Sequence, residues 1–290
     1  MTGSANDQAA TVRLQLDSSP ETLTLVRGAL GGMAELLALD VELLDDLKTA
    51  VSEACNNVVM HAYGGESGPL SVCLTVGEDQ IEVSVRDKGR GIPIQAPADD
   101  RLQGVGIPIM RALAQRTAFR PLEDGGTEVW LQFAGRRDGK LLYVPPTPPA
   151  PEDGWVDQLS GDAIVSLSPP TFVGGVLGRL ARALAARARF SLDRFSDVYL
   201  VTDALAAHAQ QAASGARVGF GIFTDTRRLE LTIGPFKPGA SSQLTGADQS
   251  EVGSALRRLS DELHVDRTNG SEALRVVIRD SRASESAPGE

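Results

Sequence analysis

The chain has 290 residues, of which 42% are hydrophobic and 23% are charged, with a formal net charge of -10. This length allows two domains of ordinary size. The negative charge argues against a direct nucleic-acid binder and against docking on an anionic membrane, since both need a basic face. No run approaches the ~20 apolar residues of a membrane span. The first ten residues lack an apolar secretory core and two cysteines cannot form a disulfide framework, so we expect a cytoplasmic protein.

The first half of the sequence predicts alternating strands and helices. Period-two alternation of apolar residues indicates half-buried strands, and recurrence every three or four residues indicates amphipathic helices. In chain order the predicted elements are strand 12–16, helix 20–37, helix 41–63, strands 70–76 and 81–85, helix 107–115 and strand 129–133. We therefore expect an α/β (α+β) two-layer sandwich, in which helices cover one face of a mixed β-sheet.

The predicted helix 41–63 has two distinct faces. Glu53 and Asn57 are four residues apart, so their side chains lie one above the other. A carboxylate next to a carboxamide offers a proton acceptor and a neutral oxygen ligand, which suits a magnesium-nucleotide site. Taken alone, the pair is more typical of a solvated helix face. The apolar stripe on the other face consists of Leu47, Val51, Ala54 and Val58.

Three glycine-rich turns follow in the sequence, at residues 87–91, 104–106 and 125–127. Asp87 ends a predicted strand, where its carboxylate could accept a hydrogen bond from an adenine amino group. A Gly-x-Gly turn then opens a predicted helix, whose free amides could receive phosphate oxygens. Each turn alone is more typical of an ordinary tight turn or helix start. The glycines and the hydroxyl of this set are Gly89, Gly91, Gly104, Gly106 and Thr127.

Taken in order, these motifs resemble the GHKL (histidine-kinase-like) ATPase superfamily, with its Bergerat-type ATP-binding fold. Within it, the closest resemblance is to bacterial anti-sigma factor serine/threonine kinases of the stress-response and sporulation type. The narrower match lies in Val51–Asn57, in His61-Ala62-Tyr63-Gly64 and in the short interval between Pro93 and Gly104. The resemblance covers roughly residues 10–135.

The resemblance implies a role for each motif residue. Asn57 would coordinate Mg²⁺, and Glu53 would act as the general base. Asp87 would bond the adenine amino group, with Thr127 supporting the same end. Two arginines, Arg101 and Arg111, are both candidates to meet the γ-phosphate. The glycines that would shape the pocket and hold the triphosphate are Gly89, Gly91, Gly104 and Gly106.

The resemblance also implies a function. It is that of an ATP-dependent serine/threonine protein kinase, which phosphorylates a small anti-anti-sigma (STAS-domain) partner and thereby regulates the availability of a sigma factor. The alternative is a nucleotide-binding regulatory module that sequesters a partner, such as a sigma factor, without phosphotransfer. A histidine kinase is less consistent with the sequence, because no phospho-acceptor helical hairpin precedes the core. The implied cofactors are ATP and Mg²⁺.

A proline-rich stretch separates the two halves. Five prolines among the ten residues 143–152 favour an extended linker. The predicted organisation is a disordered tail 1–10, an active ATP-binding domain 11–137, a linker 138–158, a degenerate second domain 159–280 and a disordered tail 281–290.

The second half repeats the first after about 150 residues, which indicates duplication of a domain in tandem. Val201-Thr202-Asp203-Ala204 matches Val51-Ser52-Glu53-Ala54, but Ala207 then stands where Asn57 stood. No aspartate follows the strand that ends near Ile233. We therefore predict a folded copy that has lost nucleotide binding. It either packs against the first half as an intramolecular pseudo-dimer or hangs on a flexible tether.

Overall fold

A computed structural model of the chain describes residues 10–77, 79–90, 105–137, 140–141, 154–245, 251–268 and 270–280. The chain divides into two compact units, Met1–Pro149 and Ala150–Glu290, and the division falls inside the predicted linker 138–158. Within the described ranges, no helix is both long enough and apolar enough to cross a membrane.

The first unit alternates strands with helices. Its sheet has the strand order β1-β2-β3-β5-β4, and each neighbouring pair is antiparallel. The elements are β1 Ala10–Asp17, α1 Thr22–Leu37, α2 Val41–Asn57, a π-helix Val58–Ala62, β2 Pro69–Val76, β3 Gln80–Asp87, α3 Gly106–Leu113, β4 Arg116–Pro121, β5 Thr127–Ala134, and the short antiparallel pair β6 Arg136–Arg137 and β7 Lys140–Leu141.

Alternating burial along the strands gives this sheet one apolar face. Val83 and Val85 of β3 are completely buried, while Arg86 between Val85 and Asp87 is exposed. Helices α1 and α2 contact β1 and β3 respectively. The predicted sandwich of a helix-covered sheet is therefore confirmed. The strands described within each unit pair antiparallel, so the sheet is not mixed, because hairpins such as β2–β3 reverse the chain between neighbours.

Four local predictions differ from the structure of the first unit. The predicted helix 41–63 changes at Asn57 from an α-helix to a π-helix that ends at Ala62. Strand β4 was not predicted, since its residues Arg116–Pro121 are exposed or half-buried and show no alternation. Helix α3 ends at Leu113, short of the predicted Gln115, and β1 begins at Ala10, inside the predicted tail.

The second unit follows the main element order of the first, with a strand, two helices, two strands, a helical segment and two strands. Its sheet has the order β8-β9-β10-β12-β11 with antiparallel neighbours, which repeats the strand order of the first unit. Descent of the two units from a duplication remains a prediction. The elements are 3₁₀ turns Val156–Gln158 and Pro170–Phe172, β8 Ala163–Ser168, α4 Val173–Arg187, α5 Leu192–Ala212, β9 Val218–Asp225, β10 Arg228–Phe236, α6 Ser242–Thr245, α7 Glu251–Leu259, β11 Glu262–Thr268 and β12 Ser271–Arg279.

One element of the second half differs from what its sequence predicts. The apolar spacing of residues 252–263 predicts a single helix, but α7 ends at Leu259 and β11 begins at Glu262. Leu263 of that strand pairs with Val276 of β12, so pairing with a neighbour, rather than local periodicity, determines its conformation. The last residues of the predicted linker 138–158 include a 3₁₀ turn, Val156–Gln158.

The start of α2 provides a test of its stability. The Asp40 carboxylate accepts a hydrogen bond from the Leu43 N–H (2.8 Å) and caps the helix. We expect Asp40→Ala to lower the free energy of unfolding by about 1 kcal/mol, because the Leu43 N–H loses the carboxylate that accepts its hydrogen bond. Urea denaturation followed through Trp130 fluorescence, in a Trp155→Phe background, measures this change. The control Asp45→Ala, at an exposed position of α2, should change stability by less than about 0.5 kcal/mol.

Candidate functional site

The structure brings Glu53, Asn57 and Gly106 together. Glu53 and Asn57 lie one turn apart at the end of α2, both half-buried, and α3 begins beside them. A Cβ atom added at Gly106 would lie 2.8 Å from Glu53 Oε2 and 3.7 Å from Asn57 Oδ1. The predicted apolar stripe of α2 is buried, and it turns these two polar side chains toward α3. The glycine therefore leaves room for the carboxylate and the carboxamide against the first turn of α3.

The donor set at this position fits a magnesium ion held mainly by a nucleotide. Glu53 and Asn57 supply oxygen atoms, which Mg²⁺ prefers. Among the residues described, no cluster of three or more His, Cys, Asp or Glu could hold a metal. A Mg²⁺ ion would thus take one or two oxygens from the protein and the rest from phosphate and water. Such a shell is typical of nucleotide-dependent phosphotransferases.

Among the described residues, no side chain caps the N-terminus of α3, and no acidic residue lies in its first turn. Pro108 has no N–H, so the amides of the first turn are those of Gly106 and Ile107. These two amides and the positive end of the helix dipole can receive an anion. Arg111 lies in the last turn of α3, at the opposite end of the helix, and does not suit the predicted contact with a γ-phosphate. The other predicted residues of this region, Gly91, Arg101 and Gly104, lie outside the described residues.

Asp87 lies in a second cluster, at the end of β3. Its side chain is only 6% exposed and accepts hydrogen bonds from the N–H groups of Gly89 (2.8 Å) and Thr127. Burial raises the pKa of the Asp87 carboxyl, although the two amide hydrogen bonds lower it. Thr127 is buried as well. The structure thus brings Asp87, Gly89 and Thr127 together as the sequence predicted.

Two glycines make this second cluster possible. A Cβ at Gly126 would lie 2.1 Å from the Asp87 carbonyl oxygen, and Gly126 has a φ of +87°, which favours glycine. A Cβ at Gly89 would lie 2.2 Å from the carbonyl oxygen of Ala62, at the end of the π-helix. Both contacts join one backbone to another, so no side chain could move aside. Any larger residue would separate Asp87 from its neighbours.

Sequence reasoning assigned no role to the π-helix or to the side chain that follows it. The Ala62 carbonyl accepts a hydrogen bond from the Arg90 N–H (3.0 Å). The Tyr63 hydroxyl accepts one from the Lys88 N–H (2.8 Å) and donates one to the Pro69 carbonyl (2.5 Å). Tyr63 belongs to the motif that carried the resemblance, but nothing in its spacing indicates these partners.

In the second unit, the positions that correspond to Asp87 and Thr127 hold residues that already interact within the protein. Strand pairing places Val85 opposite Val129 in the first unit and Ile233 opposite Leu274 in the second. Two residues further along, Asp87 and Thr127 thus correspond to Pro235 and Glu272. The buried carboxylate of Glu272 accepts the Ser241 N–H (2.9 Å), and it forms an ion pair with Arg267 (3.1 Å). This closed network supports the prediction that the second copy does not bind a nucleotide, and Ala207 of α5 offers no metal oxygen.

The contact at Gly106 generates a prediction about ligand binding. We expect Gly106→Ala to weaken Mg-ATP binding by about tenfold or more, because the new methyl group displaces the Glu53 carboxylate from the start of α3. The melting temperature should change little, since a carboxylate at the end of a flexible side chain can move. Calorimetric titration measures the affinity. The control is Gly77→Ala, in which the nearest atom to the added Cβ is 3.6 Å away, an ordinary contact, so its affinity for Mg-ATP should not change. Unchanged affinity in Gly106→Ala as well would contradict the expectation.

The raised pKa of Asp87 predicts a dependence of stability on pH. The folded protein holds the Asp87 proton more tightly than the unfolded chain. The contribution of Asp87 to stability therefore falls as pH rises from its ordinary pKa through the raised one. We expect the free energy of unfolding of Asp87→Asn, minus that of the wild type, to increase over this range and then to stay constant. Urea denaturation from about pH 3 to 7 tests this, with Asp45→Asn as control for the loss of an exposed carboxylate; a constant difference would contradict it.

Comparison with known proteins agrees with this geometry. Residues 16–133 match the histidine kinase-like ATPase domain. The serine-protein kinase RsbW of Bacillus pumilus is 36% identical over 98 residues, which cover 33% of this chain and 60% of the relative. The same kinase from Bacillus velezensis is 42% identical over 79 residues, covering 27% and 49%.

The chain thus spans about half the length of the curated relatives that it matches. A crystal structure of the RsbU and RsbW domains of a Mycobacterium tuberculosis protein is 23% identical, covers 46% of this chain and 33% of that one, and has a TM-score of 0.33, too low to support an assignment. Residues 16–133 of the first unit are thus similar to the histidine kinase-like ATPase domain and, in part, to the serine-protein kinases RsbW, in agreement with the GHKL-like resemblance of the sequence.

Proposed function

We propose that the chain is an ATP-dependent serine/threonine protein kinase of the anti-sigma factor type, with its active site in the first unit. The observation that carries this proposal is the position of Glu53 and Asn57 against Gly106 at the start of α3. Phosphoryl transfer depends mainly on positioning and charge neutralisation; this arrangement offers the positioning and an oxygen ligand for the Mg²⁺ that would neutralise the charge. The relatives, which are named serine-protein kinases, support the same reaction class.

Different residues of the first unit bind the adenine end and the phosphate end of the nucleotide. Asp87 accepts a hydrogen bond from the adenine amino group, while Thr127 supports the carboxylate. The first amides of α3, beginning at Gly106, receive phosphate oxygens. Asn57 provides an oxygen ligand for Mg²⁺, which supplies neutralisation of the phosphate charge when bound.

The chemical step follows from the position of Glu53. The hydroxyl oxygen of a substrate serine attacks the γ-phosphorus, and its bond to phosphorus forms as the bond between the γ-phosphorus and the bridging β,γ-oxygen breaks. ADP leaves, and the Glu53 carboxylate accepts the hydroxyl proton. A base within reach of this proton contributes about 10² to 10⁴ in rate.

The proposed substrate is a small anti-anti-sigma protein with a STAS-like domain, and its phosphorylation in the cytoplasm would regulate the availability of a sigma factor. In the alternative function, the chain binds nucleotide but controls its partner by sequestration alone. In either case the second unit itself is proposed to bind no nucleotide, because Pro235 stands at the position of the adenine-binding Asp87 and the engaged Glu272 at that of Thr127.

Transfer of label from γ-³²P-ATP to a purified STAS-domain protein tests the kinase. We expect Glu53→Gln to lower kcat at least about 10²-fold while ATP still binds, because only the proton acceptor is lost. Asn57→Ala should abolish binding of Mg-ATP. The matched control is Asp203→Asn, which changes the residue that corresponds to Glu53 in the second unit and should leave the rate unchanged.

The two functions then separate clearly. Phosphoserine on the partner, lost in Glu53→Gln, supports the kinase. ATP binding at one site per chain without any transfer supports the sequestering module. Absence of ATP binding at millimolar concentration would overturn both, and binding at two sites per chain would contradict the loss of nucleotide binding in the second unit.

A further inference from the structure

The turn that follows Asp87 is held by the segment at the end of the π-helix. Two backbone groups of this turn are tethered to consecutive residues. The Lys88 N–H donates to the Tyr63 hydroxyl (2.8 Å), and the Arg90 N–H donates to the Ala62 carbonyl (3.0 Å). Between them, the Gly89 N–H donates to the carboxylate of Asp87 itself (2.8 Å). The direction of the Asp87 side chain therefore depends on how this turn is held.

The Tyr63 ring has a fixed place, which makes its hydroxyl an effective tether. The ring lies flat against Gly68, where an added Cβ would come within 2.3 Å of a ring carbon. The hydroxyl donates its own proton to the Pro69 carbonyl (2.5 Å) at the start of β2. Burial raises the pKa of Tyr63, so the hydroxyl keeps the proton that it donates. The Tyr63 oxygen thus links β2 to the turn after β3.

We infer that Tyr63 is a positioning residue for adenine recognition, because its hydroxyl holds the turn that orients the carboxylate of Asp87. This inference rests on the proposed function of the first unit as an ATP site. In this proposal Tyr63 needs no contact of its own with the nucleotide. It acts through Asp87, so its removal weakens the recognition of the adenine amino group and leaves the phosphate end of the site intact.

Inosine triphosphate separates this role from a merely structural one. It carries an oxygen in place of the adenine amino group, so it lacks the exocyclic donor that Asp87 would accept from and keeps only an N1–H donor at the neighbouring ring position. Tyr63→Phe keeps the ring on Gly68 and removes only the hydroxyl. We expect the Kd of Mg-ATP to rise about three- to tenfold in this variant, as for the loss of one or two hydrogen bonds, while the Kd of Mg-ITP stays unchanged.

A double-mutant cycle with Asp87→Asn tests whether Tyr63 acts through Asp87. In the Asp87→Asn background, Tyr63→Phe should no longer change the ratio of the two affinities. The matched control is Tyr199→Phe, which removes the hydroxyl of a partly exposed tyrosine in the second unit and should change neither affinity. Calorimetric titration of the full chain measures all the constants.

Hydrogen exchange gives an independent measurement on the free protein. The Lys88 amide should exchange faster in Tyr63→Phe, and also in Gly68→Ala, whose methyl group displaces the ring. Equal losses of ATP and ITP affinity in Tyr63→Phe, or no loss of either, would overturn the inference while the ATP site stands. A wild-type chain that binds neither nucleotide would overturn the proposed function and the inference together.

Discussion

The candidate site depends on backbone contacts that only glycine permits. Asp87 stands where the end of β3, the start of β5 and the end of the π-helix meet, and these segments touch through Gly89 and Gly126 without side chains between them. Such contacts bury peptide groups, which must then find hydrogen-bond partners. The amides of Gly89 and Thr127 find them in the Asp87 carboxylate. Steric fit and hydrogen bonding therefore specify the same arrangement.

Helix α2 connects this cluster to the phosphate end of the site. Its buried stripe holds the helix on the sheet, while Glu53 and Asn57 face α3. The helix continues directly into the π-helix, whose last residue, Ala62, contacts the turn after Asp87. π-helical turns are rare overall and are often found at functional sites. One continuous segment therefore positions both the proposed magnesium ligand and the proposed adenine acceptor.

The second unit shows that the same topology does not require the same chemistry. Its elements follow in the same order, yet the positions of Asp87 and Thr127 are taken by Pro235 and Glu272. The Glu272 carboxylate already accepts a hydrogen bond from the Ser241 N–H and forms an ion pair with Arg267, so its interactions are made within the protein. Function thus resides in a few side chains placed on the fold, and the fold remains when they change.

The sequence by itself determined the elements whose patterns are local. Apolar periodicity predicted α2 and the buried strands, and the order of polar and glycine motifs predicted the histidine kinase-like ATPase domain together with Glu53, Asn57 and Asp87 as its key residues. Glu53 and Asn57 lie together beside Gly106, and Asp87 lies beside Gly89 and Thr127, while the chemical roles of all these residues stay predictions. Local patterns suffice for this because a helix or strand that buries one face must repeat its apolar residues with its own period.

Only the tertiary structure decided the features that depend on pairing between distant segments. Strands β4 and β11 take their conformation from neighbouring strands, and the antiparallel order of the sheet follows from how hairpins return the chain. The π-helix and the hydrogen bonds of Tyr63 likewise have no local signature. Lys88 and Pro69 reach the Tyr63 hydroxyl because β2 and β3 pair in one register, and a register is a property of two segments together rather than of either sequence alone.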